Sequence, residues 1–247
     1  MLRRLAPLAL VLLAGCEDKP KPAPAPASTP ATTSTPTPPP RPTLPPTLVV
    51  DPSGALVAGT RVSLDNRAAG ERLRTELEPH RSFIDKQEVR LTAERKVNPA
   101  FVAIMLDALG ATGASRVLVR TSTRSDFPSE VGFVSLDKVR SAPPCSLVAM
   151  ITSDRGSAVW SLSGGAAGKR GKGMAGPDLT LTGETIETRA KSCAQSQVLF
   201  VAGAEGVEWG LVYDLAASTK RLSRSYFAET ALIPVPPVPG HAVDLGK

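Results

Sequence analysis

Few groups in this chain of 247 residues could do chemistry: three cysteines, Cys16, Cys145 and Cys193, and two histidines, His80 and His241. A thiol can be acylated, oxidised to a disulfide or bound to a metal, and an imidazole can ligate a metal or carry a proton. A metal site needs more ligands than Cys145, Cys193 and the two distant histidines supply. His80 closes an expected helix and His241 lies near the C-terminus, so no nucleophile–histidine–acid set can be assembled. Asp107 and Asp214 each stand in an expected helix among apolar residues and read as solvated flanks. No catalytic residue, metal or cofactor is expected, and the chain reads as a non-enzyme. Residues 164–176 hold six glycines together with Lys169, Arg170 and Lys172, which invites a phosphate-loop reading. That segment has no Gly-x-x-x-x-Gly-Lys-Ser/Thr frame, so the reading fails. Two others stand: a mobile loop, or a basic contact for an anionic cell-wall polymer.

Cys16 differs from the other cysteines in what precedes it. Arg3 and Arg4 form a positive n-region, residues 5–13 an apolar run, and Ala14-Gly15 the small residues of a cleavage site. The run is too short to span a bilayer, which takes about 20 residues. Leu13-Ala14-Gly15-Cys16 resembles the bacterial lipobox. The resemblance implies thioether lipidation of Cys16 and removal of residues 1–15 as a signal peptide; an ordinary signal peptide before a chance cysteine is the alternative. The expected location is the cell membrane or outer membrane, lipid-anchored and facing the periplasm. Glu17 and Asp18 could bias sorting toward the inner membrane.

Loss of Arg3 and Arg4 leaves 27 basic against 23 acidic residues, a net charge of about +4. This excess is small and scattered, aromatics are 4%, and no base-reading module occurs, so nucleic acid is not an expected partner. Weak affinity for anionic lipid or cell-wall polymer fits the charge better. With Cys16 acylated, Cys145 and Cys193 are most simply one disulfide in an oxidising compartment; two buried free thiols are the competing reading.

The elements that would position these groups begin after a stalk. Twelve of the 28 residues 19–46 are proline. Proline fixes φ and removes backbone donors, so this stretch favours extended polyproline II, about 87 Å long at roughly 3.1 Å per residue. A second cluster, Pro234, Pro236, Pro237 and Pro239, is expected to leave residues 234–247 as a loose tail. The remaining chain of roughly 190 residues suffices for one large domain or two small ones.

Strand and helix patterns alternate through that part. Leu48-Val49-Val50 and Ala55 to Val57 flank the turn Asp51-Pro52-Ser53-Gly54, and Thr60 to Leu64 gives a third short strand. Asp65 or Asn66 can cap a helix with Leu73 and Leu77, and residues 89–93 alternate as a strand. Pro99 opens a helix with Phe101, Val102, Met105, Leu106 and Leu109; Gly113 ends it before the strand Val117-Leu118-Val119. This order over residues 47–121 resembles the periplasmic domain of the ExbD/TolR biopolymer-transport family. The hairpin Val49 to Leu56, Arg61 to Leu64 followed by Leu73 and Leu77, Val97 with Phe101-Val102 and Leu106 to Leu109, and Gly113 with Val117 to Thr121 carry the resemblance. It implies an α/β (α+β) fold, with an ExbD/TolR-like domain at 47–124, a linker at 125–144 and a second α/β domain at 145–233 that reads as a duplicate of the first.

The second half repeats the signals: a hairpin from Leu147-Val148-Ala149-Met150-Ile151 to Ala158-Val159-Trp160-Ser161-Leu162, and a short strand Asp178 to Thr182. A helix from Glu184 to Cys193 follows, capped by Thr182 or Gly183, then a strand Val198 to Ala202. Val207 then pairs with Val97, and Leu211-Val212 with Phe101-Val102, both 110 residues apart; Trp209 stands where the first half has Pro99. Trp160, Trp209 and Tyr213 are expected in the core. The family tethers its domain by a membrane helix whose aspartate lies in a partner channel's proton pathway. A lipid and a proline stalk replace that helix here, so the resemblance implies no proton conduction. What it leaves is an accessory periplasmic role in a proton-motive-force-linked transport or envelope-maintenance system, with ExbB/TolQ- or ExbD/TolR-type partners or as a homodimer. A peptidoglycan-binding tether between membrane and cell wall is the alternative.

Overall fold

Residues 42–245, apart from 175, 194, 196, 223 and 224, are described by a computed structural model. The expected signal peptide, Cys16 and the stalk as far as residue 41 lie outside the described residues. From the N-terminal side, β1 (Leu48–Asp51) and β2 (Gly54–Val57) pair antiparallel. Their turn is closed by Ser53 N–H donating to Asp51 Oδ1 at 2.8 Å. Gly54 has φ 130°, and a Cβ there would strike Val62 O. β3 (Thr60–Val62) follows across Ala58-Gly59, whose φ values of 49° and 95° suit a two-residue type I′ turn.

α1 (Ala69–Leu77) turns Ala69, Leu73 and Leu77 inward. Neither Asp65 nor Asn66 caps it; Asn66 Oδ1 instead accepts Ala68 N–H at 3.0 Å in the turn ahead. A 3₁₀ turn (Glu78–His80) and α2 (Arg81–Ile84) lead to β4 (Glu88–Ala93), which pairs parallel with β1. A parallel neighbour needs a crossover, and α3 (Pro99–Ala111) supplies it before β5 (Arg116–Arg120). Asn98 caps α3 by accepting Ala100 N–H at 3.0 Å. β6 (Glu130–Phe133) then pairs antiparallel with β5, giving the order β3-β2-β1-β4-β5-β6. Residues 125–144, expected as a linker, therefore contribute this strand and a 3₁₀ helix, Leu136–Val139.

β7 (Leu147–Ile151) and β8 (Ser157–Ser161) form the second expected hairpin. The third strand of this half is β9 (Gly168–Arg170), inside the segment expected as a mobile loop. A small ribbon of β10 (Lys172–Gly173) and β11 (Gly176–Pro177) extends from it. Residues 178–182, expected as a strand, instead begin α4 (Leu179–Ala190). Asp178 Oδ1 accepts Leu181 N–H at 3.0 Å and starts the helix five residues earlier than the expected Glu184. Thr182 and Thr185 turn their hydroxyls onto carbonyls four residues back, which lets β-branched residues sit in a helix. β12 (Gln197–Gly203), α5 (Trp209–Ser218) and β13 (Phe227–Leu232) complete the order β13-β12-β7-β8-β9.

Strand by strand, β3-β2-β1-β4-β5 and β9-β8-β7-β12-β13 have the same connections and directions. The 110-residue offset recurs in hydrogen bonds. Val97 N–H to Glu94 O matches Val207 N–H to Ala204 O, and Phe101 N–H to Asn98 O matches Leu211 N–H to Glu208 O. The fold is thus α+β, two small repeats of one topology within a single compact unit. The repeats are linked side by side, because Val134 just past β6 bridges Ala231 of β13.

One face of this joined sheet carries the helices. On the other, the two repeats differ. Row by row, Arg61, Leu56, Val49, Thr92, Arg120 and Glu130 face outward on the first repeat. The matching face of the second is apolar, built on Val148, Trp160, Phe200 and Ala231. Residues 234–245, expected as a loose tail, cover it: Trp160 Nε1–H donates to His241 O at 2.8 Å, Val243 N–H to Leu162 O at 3.0 Å, and Val243 and Leu245 pack against the cluster.

Candidate functional site

Among the described residues the one charged side chain that is buried is Asp214, expected as a solvated flank and instead enclosed where the repeats meet. It is on α5, and its carboxylate accepts Arg95 Nη1–H at 3.1 Å, Arg95 Nη2–H at 2.8 Å and the Thr123 hydroxyl at 2.5 Å. Arg95 comes from the turn between β4 and α3, and Thr123 from the loop after β5, so the second repeat's aspartate is held wholly by the first. The backbone repeats the link: Trp209 N–H donates to Val97 O and Gly210 N–H to Arg95 O, both at 2.8 Å. Beside the pair, Trp209 lies 5.7 Å from Phe133 and 5.9 Å from Tyr213, between ring centroids. Each such pair adds about 0.5–1.5 kcal/mol beyond its buried area. Trp209 Nε1–H is satisfied by Thr121 Oγ1 at 2.8 Å, and Tyr213 O–H by Pro128 O at 3.1 Å. Burial, with the Asp214 carboxylate alongside, pushes the Tyr213 phenol up to about 12. A carboxylate whose three donors include both ends of one guanidinium is a brace between the repeats.

Asp107 is likewise not a solvated flank. It lies half-buried on α3 and accepts Leu136 N–H, and burial pushes its carboxyl above the usual range. Trp160, Trp209 and Tyr213 are core residues as expected. His80 lies in a 3₁₀ turn and His241 in the covering C-terminal segment, far apart in their roles. Among the described residues, no group of three or more His, Cys, Asp or Glu could hold a metal ion, and no helix is long and apolar enough to cross a membrane.

Cys145 and Cys193 are joined, with Cα atoms 5.8 Å apart. The bond ties the turn before β7 to the end of α4, so it fixes a helix of the second repeat onto its sheet. Val198 N–H to Ser146 Oγ at 3.1 Å and Gln197 Nε2–H to Ala190 O at 2.8 Å reinforce the same corner.

Lys169, Arg170 and Lys172 come together at the outer edge of the second repeat, on β9 and β10, all exposed. Arg170 lies on the helix side, where its Nε–H donates to Thr185 Oγ1 at 3.1 Å. A cleft of about 350 Å³ opens nearby between α4 and the loop after β5. On its wall Phe127 is flanked by the Arg124 and Arg221 guanidiniums, 5.1 and 5.7 Å from the ring centre, and both bind Asp126. Sharing one carboxylate leaves that wall with stacking surface and one surplus positive charge.

Comparison of the chain with protein-family models, with curated proteins and with solved structures finds no match. Of the groups that organise this molecule, the Arg95–Asp214 brace escaped sequence reasoning altogether. The signal available was the 110-residue offset around Trp209, which puts Asp214 in the helix beginning two residues after the repeated valine.

Proposed function

We propose that this chain is a non-enzymatic envelope lipoprotein, an accessory periplasmic component of an ExbD/TolR-type, proton-motive-force-linked transport or envelope-maintenance system. The observation that carries this reading is the repetition of one strand order in both halves, β3-β2-β1-β4-β5 and β9-β8-β7-β12-β13. The first copy is the segment whose element order resembles the family's periplasmic domain. Two copies braced by Arg95 and Asp214 make a rigid double domain. Such a body can present two related docking surfaces at a fixed spacing, which suits assembly with family partners. Among the described residues no helix is long and apolar enough to cross a membrane. On this reading the chain's part is contact and positioning, with proton flow left to the partner channel.

Leu13-Ala14-Gly15-Cys16 supports anchoring by acyl chains at the membrane surface, with residues 19–46 as the spacer. Intact-mass measurement of membrane-extracted protein is expected to give a diacylglyceryl-sized addition on Cys16, and Cys16→Ser is expected to release the chain or block processing. An unmodified soluble mature chain would remove the anchor from the reading. The functional role is tested by in-cell cross-linking of the acylated chain. Recovery of an ExbB/TolQ-type channel subunit or an ExbD/TolR-type protein is the expected result. Cross-links to peptidoglycan alone would replace it with the tether reading.

A further inference from the structure

We propose that the β9 edge, with the β10–β11 ribbon and the start of α4, is a second membrane contact that seats on anionic phospholipid headgroups. The inference deepens the proposed lipid-anchored reading and rests on it for its biological setting. Two independent observations point to a bilayer. The first is charge: Lys169, Arg170 and Lys172 are exposed along this edge. Adjacent residues on a strand face opposite ways, so Lys169 and Arg170 straddle the edge and aim it, not either sheet face, at an anionic surface. Asp154 lies near enough to Lys172 to share its field, but it and Asp178 are also bound within their own turns. Asp154 accepts the Thr152 hydroxyl and Gly156 N–H, and Asp178 caps α4.

The second observation is apolar. Met174, at the tip of the ribbon, is fully exposed, and Leu181, on the first turn of α4, is 41% exposed. These are two of the five large hydrophobic side chains left exposed among the described residues. Cations flanking an exposed apolar tip match the interfacial zone of a bilayer, where headgroups take the charge and the acyl boundary takes the side chain. A hydrated anionic polymer would use the cations and leave Met174 and Leu181 in water.

Reach and concentration complete the case. From β1 to β9 the joined sheet spans eight strand intervals, about 38 Å at roughly 4.8 Å each. The spacer expected from the sequence, about 87 Å when extended, exceeds that distance. Each cation near an anionic surface contributes about fivefold in affinity, so the contact alone is weak. Tethering makes the encounter intramolecular, and a weak contact is then well populated. The body would alternate between a seated state against its own membrane and an extended state reaching for partners.

The test uses the mature chain from residue 16 with Cys16→Ser, so that no acyl chain contributes, and measures co-sedimentation with vesicles. Binding is expected to phosphatidylcholine vesicles containing about a third phosphatidylglycerol, and to fade when salt screens the charges. Lys169→Glu with Lys172→Glu, which spares the hydrogen-bonded Arg170, is expected to weaken it at least tenfold. Met174→Asp alone, a change at a fully exposed tip, is expected to weaken it several-fold with the melting temperature unchanged. Equal binding to pure phosphatidylcholine, binding unaffected by both variants, or binding to isolated peptidoglycan in place of vesicles would each overturn the proposal. None of these outcomes depends on whether native Cys16 is acylated, which the mass measurement decides separately.

Discussion

Asp107 and Asp214 present the same local pattern, an aspartate among apolar helix residues, yet the fold uses them in opposite ways. Asp214 meets a guanidinium from the other repeat, whereas Asp107 is half-buried with one backbone donor, Leu136 N–H, and burial raises its pKa above the ordinary 3.8. The sign of the consequence follows from linkage. Where the folded-state value is the higher, the folded chain keeps a proton that the unfolded chain has lost. Stability therefore falls as pH rises from the unfolded value through the folded one, and the cost is fully present at neutral pH. Asp107→Asn keeps an oxygen to accept Leu136 N–H and removes the charge. The variant is expected to unfold at higher temperature than the parent at pH 7, with the gap closing below pH 3.8. A gap that persists unchanged at low pH, read by thermal denaturation across the range, would mean the effect is packing and not ionisation.

Among the elements, α5 illustrates how a tertiary contact overrides helix propensity. Gly210 sits in its first turn, where alanine would favour the helix by about 1 kcal/mol. A Cβ there would meet Arg95 Cζ and Nε at 2.8 Å and Arg95 Cβ at 2.9 Å. Because the contact includes Arg95 Cβ, swinging the guanidinium aside does not relieve it, and the Asp214 pair must loosen. Gly210→Ala is thus expected to destabilise by about 1–2 kcal/mol, despite the better helix former. Chemical denaturation measures the loss, and Asp214→Asn in the same background is expected to cost less than it does alone, since the brace is already strained. The start of α4 makes the complementary point. Leu179, Thr180, Leu181 and Thr182 alternate like a strand, but the Asp178 cap and the threonine bonds to carbonyls four residues back satisfy a helix there, and Ser157 meets Thr182 at 2.6 Å to dock it.

For the molecule as a whole, the second repeat is held by means the first does not need. It has the disulfide and the C-terminal segment over its apolar face. Cys145 and Cys193 are 48 residues apart, a closure that stabilises by roughly 4 kcal/mol if it acts by restricting the unfolded chain. Unfolding of the oxidised chain is expected at clearly higher denaturant than of the reduced one. A Cys145→Ser, Cys193→Ser variant is expected to match the reduced chain and to ignore reductant. Thiol titration of the unfolded, unreduced protein lacking Cys16 should find no reactive thiol, and two after reduction.

Sequence by itself determined the hairpins β1–β2 and β7–β8, the strands β3, β4, β5 and β12, the α3 and α5 helices and the repeat spacing, because each rests on local facts: period-two alternation, a proline in the first turn of α3, and a recurrence 110 residues on. It offered one bond between Cys145 and Cys193 beside two free thiols, and the fold, which brings their Cα atoms within 5.8 Å, decided for the bond. Tertiary structure alone decided where β9 lies, that residues 125–144 carry a strand, and that residues 234–245 pack down instead of trailing. It decided the Arg95–Asp214 brace as well. In each of these the deciding partner is distant in sequence: β9 is a strand because β8 offers an edge, and the tail is ordered because Trp160 and Phe200 leave an apolar face that water would otherwise cover. Local periodicity cannot register a surface that exists only after the chain has folded.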